Sequence, residues 1–395
     1  MTTRFAKRAL VLAVSAGAAS FLAPAAVDAA DPVRTVLPAK EGGRDVPADE
    51  MRRVYDEVKT PFKYGVVLRG ADKDTLVDCP SIFRKGDTWY MAYVACEKKS
   101  SDESNVYKNR LGYETHLAES RDLLHWKPMG KILGFSDADT WDKWQVDGGL
   151  ALVDHDWNGT HEIRPFDGKY WMTYIGGAKQ GYEPDPLSMG VAFTSDPTKA
   201  TPWTRFEGNP VLTPNQPDAR EFERKTLYKS SVIWDKSESL GFPFVMFYNA
   251  KLKNGYERIG MAVSKDMTTW QRYGDAPVVA NGEAKKNGMS GDPQIVRMGD
   301  LWVMFYFGAG WGPKAFDTFA CSYDLVHWTK WDGAKLIEPS EAWDKTYAHK
   351  PWVLKHDGVV YHFYCAVGDE GRVIALATSK DLRANSTVKD NSAGK

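Results

Sequence analysis

One short phrase returns five times along this chain. It reads "AESRDLLHW" at residues 118–126, "AVSKDMTTW" at 262–270 and "ACSYDLVHW" at 320–328, with looser copies "AFTSDPTKATPW" at 192–203 and "ATSKDL" at 377–382. A phrase recurring at intervals of about 55–75 residues demands a fold built by repetition. Upstream of each copy lies an aromatic strand: "WYMAY" 89–93, "YWMTY" 170–174, "FVMFY" 244–248, "WVMFY" 302–306 and "YHFY" 361–364. Apolar residues occupy both alternating sets, the pattern of a strand packed on two faces. Pro80, Pro293 and Pro351 each precede the Met or His at the centre of the next strand by the same interval, and each opens a short apolar run. A further strand follows the complete phrases, as in "KPMGKIL" and "DAPVV".

Each unit therefore reads as four antiparallel strands, and five units use up the chain. Radial repetition of such sheets predicts an all-β, five-bladed β-propeller. The Ser and Asp of the phrase are read as turn formers, because short polar side chains hydrogen-bond to nearby backbone N–H groups. Asp122, Asp196, Asp266, Asp324 and Asp381 are thus expected at outer structural turns. The fifth copy has no strand after it. An open edge is a liability, so "YGVVLRG" at 64–70 is expected to close the ring by pairing with the last blade.

Domain organisation follows. Residues 1–30 combine a basic start, a short apolar run and small residues, the order of a cleavable signal peptide. The expectation is a secreted or periplasmic protein. Residues 31–60 read as an N-terminal surface arm, 61–382 as the propeller and 383–395 as a polar tail. A net charge of −1 argues against nucleic-acid binding, which needs clustered cations. No apolar run is long enough to suggest a membrane span. Cys79, Cys96, Cys321 and Cys365 lack metal-site spacing and read as small buried hydrophobes.

Inner strands of a propeller converge on its axis, so ionisable groups at their starts are the chemical candidates. Blade one offers Asp78, blade four Asp292, blade five His349 with Lys350, and blade three Lys229 with Glu223 upstream. Blade two is ambiguous: register favours "HEIRPF", with Glu162 and Arg164, and "VDGGLALV" offers Asp147 as the second choice. Trp144, Trp311 and Trp352 are candidate sugar-stacking rings. Ionisable groups crowded into one cleft shift one another's pKa values, as acid–base catalysis requires.

The segments "DCPSIFRKGDTWYMAYV", "FDGKYWMTYIGG" and "GDPQIVRMGDLWVMFYFG", with the repeated A-x-S-x-D-x-x-x-W, resemble the five-bladed β-propeller glycosidases, which include glycoside hydrolase families 43, 32, 117 and 130. The resemblance covers about residues 61–382. In the family 43 pattern an Asp opening blade one is the general base, which implies that role for Asp78; a blade-two carboxylate tunes pKa and a blade-three Glu is the acid. Lys229 departs from that pattern and is similar to the phosphate-holding lysine of family 130. The implied function is a glycoside hydrolase acting on an oligo- or polysaccharide, inverting by likeness to family 43. Asp78, Glu162, Asp292 and Asp147 are the candidate catalytic carboxylates. Lys229, His349, Arg164, Glu223, Trp144 and Trp311 are the candidate substrate contacts. The alternatives are a non-catalytic glycan-binding propeller and a glycoside phosphorylase, with Lys229, Arg164 or His349 gripping phosphate. No cofactor is required, although the axis admits a structural calcium. Oligomeric state is left open.

Overall fold

A computed structural model describes residues 35–98, 110–252, 256–281 and 288–383. The signal peptide expected at 1–30 and all but the first residue of the expected tail lie outside them. Five four-stranded antiparallel sheets are present, in the order that the repeat predicts. Their inner strands are Leu76–Lys85, Gln145–Leu150, Thr226–Trp234, Met289–Met298 and Tyr347–His356. The second and third strands of each blade are almost wholly buried, because blades stack face to face and neither surface meets water. Met91, Met172, Met246, Met304 and His362 sit at full burial in these interfaces.

The repeated phrase builds one turn. Ser264 Oγ accepts the N–H of Met267 at 3.0 Å, and Asp266 Oδ1 accepts those of Thr268 and Thr269 at 2.8 and 2.6 Å. Trp270 then folds back and donates its indole N–H to Met267 O at 2.9 Å. Ser120–Asp122–Trp126 and Ser322–Asp324–Trp328 repeat the arrangement. The residue after each Asp is left-handed, with φ of 66° at Leu123, 68° at Met267 and 69° at Leu325. The polar side chains stabilise a backbone conformation that a branched residue would otherwise avoid.

Ring closure is as expected. The strand Phe62–Leu68 pairs antiparallel with Gly371–Thr378 and supplies the outer strand of blade five. The N-terminal arm is more than a surface appendage. Ala48–Val58 is an α-helix whose Met51, Val54 and Val58 are buried at one-face spacing. They join a cluster with Val296, Phe305 and Val353 of blades four and five.

Blade two departs from the expected register. Its inner strand is Gln145–Leu150, and Leu150 pairs with Met172 across a long connection. Residues 151–169 fill that connection and cross the ring's axis. His161 O accepts from Arg84 N in blade one, Trp157 N donates to Arg297 O in blade four, and His161 Nε2 lies 2.7 Å from Lys355 O in blade five. The insertion plugs one end of the axis, leaving beneath it a cavity of only about 30 Å³. Glu162 and Arg164 belong to this plug, and counting back a fixed interval from Met172 misplaced them because that interval holds only where two residues join the first two strands, as in blades one, four and five.

Candidate active site

The opposite end of the axis opens into a cleft of about 460 Å³, within the usual range for small-ligand sites. Its floor is set by a device common to blades one, four and five. The pairing of the inner strand slips between Asp78 and Ser81, between Gly291 and Gln294, and between His349 and Trp352. In each bulge the residue before the proline is left-handed: Cys79 at φ 52°, Asp292 at 49° and Lys350 at 64°. Such backbone costs a non-glycine residue roughly 1–3 kcal/mol and recurs at functional sites. Cys79, Asp292 and Lys350 thereby stand at matching places around the axis. Asp78 sits one place earlier and lies behind them.

A charge network joins these groups. Lys350 Nζ is 2.9 Å from Asp78 Oδ2, 3.8 Å from Glu183 Oε1 and 4.0 Å from Asp292 Oδ2. Lys229 Nζ is 3.3 Å from Asp147 Oδ1 and donates to the carbonyls of Cys79 and Gly148 at 3.2 Å. The Cys79 thiol stands 3.6 Å from both Asp147 Oδ2 and Asp292 Oδ2. Asp78 is fully buried. It binds Arg372, Lys350 and, through Oδ1, the backbone N–H of Cys79. Burial opposes its ionisation, but the charges of Arg372 and Lys350 outweigh burial and hold its carboxyl well below the usual range. Burial instead raises Asp292, over the pull of Lys350 and Lys229. Burial also lowers His349 to about 3, with Arg372 adding to the effect, which keeps its imidazole neutral.

Two glutamates outside the inner strands complete the cleft. Glu183 follows Tyr182 in the loop between the second and third strands of blade two, and is itself left-handed at φ 47°. Tyr182 is fixed by the Arg372 guanidinium, 5.5 Å above its ring, and by the edge of Tyr113. Burial lifts Glu183 to about 6 against the opposing charge of Lys350. Glu257 opens the third strand of blade three and accepts from Asn249 Nδ2 at 3.1 Å. Burial, then the negative charge of Glu183, lifts it to about 7. Both carboxylates face one cleft, and each is poised near neutrality, as an acid–base pair needs.

Of the residues expected from the sequence, Asp147, Lys229, Asp292 and His349 line this cleft, and Asp78 lies behind Lys350 and Arg372. The others are elsewhere. Glu162 is exposed on the plug, and Arg164 pairs there with Asp154 at 3.0 Å. Glu223 is buried between Arg220 and Arg272, each 2.8 Å away, and bonds the Tyr248 hydroxyl. That network ties a short 3-10 turn to blade three. Trp144 packs on Phe135, Trp311 stands edge-on to Phe316 at 4.7 Å, and Trp352 floors the axis below the cleft. At the axis, lysines stand among the carboxylates, and no three His, Cys, Asp or Glu side chains are grouped for a metal among the described residues. All four cysteines are buried and free.

Comparison with known proteins places this cleft in context. No family model matches the sequence. The structure of a BT0996 RGII complex superposes on 86% of this protein and 97% of its own length, with TM-score 0.80 and 46% identity. A second structure, described as a glycoside hydrolase, covers 85% and 96% at TM-score 0.79 and 46% identity. The protein belongs to the five-bladed β-propeller glycoside hydrolases. Within these glycoside hydrolases, a family 117 enzyme from Zobellia galactanivorans shares the fold at TM-score 0.56 and 16% identity, over 82% of this protein and 91% of its own length. A 1,2-beta-oligomannan phosphorylase from a Thermoanaerobacter species is 30% identical over 149 residues, 35% of this protein and 46% of that enzyme. The match thus spans less than half the length of the curated relatives.

Proposed function

We propose that this glycoside hydrolase cleaves a glycosidic bond within a carbohydrate bound in the axial cleft, with Glu257 as general acid and Glu183 as the carboxylate that activates water. One observation carries the reading: two glutamates line the same cleft, both raised toward neutrality, and the charge of Glu183 is what further raises Glu257. The group with the higher pKa holds the proton for the leaving oxygen, and the lower one is the base. Asp78, expected as the base, is instead bound by two cations with no face toward the cleft. We assign it the role of fixing Lys350 and Arg372.

The 46% identical RGII complex supports a carbohydrate substrate of that kind. Likeness to family 43 carries the further expectation of inversion, with a water between the two carboxylates. Proton NMR of the first-formed anomer decides it, and a retained anomer would reassign Glu183 as nucleophile.

Phosphorolysis is the second reading, motivated by the oligomannan phosphorylase match and by three cations at the axis. Those cations are already matched to Asp78, Asp147 and Asp292, so a phosphate would have to displace carboxylates. The deciding experiment incubates the protein with RGII oligosaccharides and aryl glycosides, with and without inorganic phosphate. Free reducing sugar independent of phosphate supports hydrolysis, and a phosphate-dependent sugar phosphate overturns it.

A further inference from the structure

Two large hydrophobic side chains are exposed among the described residues, Phe62 and Tyr347. Phe62 stands on the outer seam of the ring, remote from the charge network. Tyr347, 38% exposed, lines the same cleft as Glu183 and Glu257. It opens the inner strand of blade five, two places before His349, so strand alternation puts both rings on one face. The rings lie 5.8 Å apart, and His349 in turn meets Phe307 edge-on at 5.5 Å. An aromatic wall thus descends from the rim toward the axis.

The neighbouring loop shows why this ring, and not the tryptophan beside it, is offered to a ligand. Trp311 is folded under its own loop, where its indole N–H donates to Met289 O at 2.7 Å. A Cβ at Gly308 would come within 2.4 Å of the Trp311 ring, and one at Gly312 within 2.5 Å of Phe316. The glycines let the loop close tightly over Trp311 and Phe316. Tyr347 is pinned against the end of that loop by a hydrogen bond from Ala348 N to Ala315 O at 3.2 Å. Its backbone is fixed and its ring remains uncovered.

We propose that Tyr347 is the platform for a sugar unit flanking the bond held at Glu183 and Glu257, which makes the preferred substrate an oligosaccharide rather than a glycoside with a small leaving group. This rests on the glycosidase reading above. A sugar ring presents a C–H face that an aromatic face desolvates, and a tyrosine gives that contact while losing only two torsions.

Tyr347→Ala and Tyr347→Phe test the proposal, each with its melting temperature checked against wild type. All three proteins are assayed on an RGII oligosaccharide series and on whichever aryl glycoside wild type cleaves fastest. The expected result for Tyr347→Ala is a rise of about 3–10-fold in oligosaccharide KM, the scale of one aromatic contact, with a smaller rise on the aryl glycoside and little change in kcat. Tyr347→Phe should stay within about twofold of wild type, because the face is kept. Equal effects on both substrates overturn the platform, as does Tyr347→Phe falling as far as Tyr347→Ala. If wild type cleaves nothing, the glycosidase reading has failed separately. Calorimetric titration with the same oligosaccharides then decides: weaker binding by Tyr347→Ala supports the platform, and undiminished binding overturns it.

Discussion

His362 Nε2 meets Asp317 Oδ2 at 3.0 Å across the boundary between blades five and four, and neither side chain touches solvent. At the same places the other blades carry Met91, Met172, Met246 and Met304 for the histidine, and Thr115, Met189, Ile259 and Ile374 for the aspartate. Burial, reinforced by the charge of Asp292, pushes the Asp317 carboxyl well above its usual range. Burial holds the His362 imidazole down to about 3. The folded pair therefore keeps one proton between two neutral groups.

That proton sets a pH dependence of stability. Unfolded Asp and His titrate near about 3.9 and 6.5. Between those values the unfolded state also holds one proton on the two groups, so their contribution is flat. Above about 6.5 the unfolded histidine is deprotonated while the folded pair keeps its proton, and stability falls by up to about 1.4 kcal/mol per pH unit. Below about 3.9 the unfolded state takes a second proton and stability falls again. The double variant His362→Met, Asp317→Ile, built from residues that other blades use, should lose the alkaline decline. Urea unfolding from pH 5 to 9 measures it, and an unchanged slope refutes the account. His362→Met alone strands a buried carboxyl and should cost about 1–3 kcal/mol.

If Glu183 and Glu257 act as proposed, kcat/KM should rise with pH as Glu183 ionises near about 6 and fall as Glu257 loses its proton near about 7. Glu257→Gln and Glu183→Gln should each lose about 10²–10⁴-fold in kcat. The acid variant should lose least on aryl glycosides whose leaving groups need no proton. Carbon-13 NMR of Glu183→Gln should show Glu257 titrating lower than in wild type, since a neighbouring negative charge has gone. An unmoved Glu257 would break the proposed coupling.

Asp78→Asn leaves two buried cations short of a partner, and breaking such a pair costs about 3–5 kcal/mol. Glu183 should also respond, because the Asp78 charge is among the influences that raise it. With that charge removed, burial and Asp147 still raise Glu183 but less stands against Lys350, and the acid limb of the pH profile should move to lower pH. Direct loss of a base would instead abolish turnover with the melting temperature intact. Calorimetry beside the pH profile separates the two.

Val66 pairs with Ala375 in the closing seam. Val66→Pro places a residue without an N–H in the seam and fixes φ against the strand. The expected outcome is a lower melting temperature and light-scattering aggregates, because the freed edge of blade five can pair with other molecules. A monomeric variant of unchanged stability would show the seam to be dispensable.

The fold was legible because the repeat is written in the turns: Ser120, Asp122 and Trp126, with their full copies from Ser264 and Ser322, specify the same backbone in blades one, three and four. The site was legible only in part. Asp147, Lys229, Asp292 and His349 followed from the expectation that inner strands meet at the axis. Asp78 was displaced by the bulge at Cys79, and a one-residue slip reverses which side a side chain faces. Glu162 was drawn from an insertion that breaks the blade interval. Glu257 lay outside an expectation confined to inner strands, because it opens a third strand. Five residues before the repeated Ala stand Tyr113, Leu187, Glu257, Ala315 and Arg372, and the two charged members of that series both line the cleft. Glu183 sits in a loop with no such periodic mark.

The seam between Phe62–Leu68 and Gly371–Thr378 also fixes an order of events during synthesis. The first strand leaves the ribosome with no partner and must wait for the last hairpin of the sequence, while the four blades made in between already have all their strands. Locking the circle is then the final act of assembly. A polypeptide halted before residue 371 would carry two raw strand edges, one at each extremity, and would be a substrate for proteases and chaperones rather than a slightly shortened enzyme.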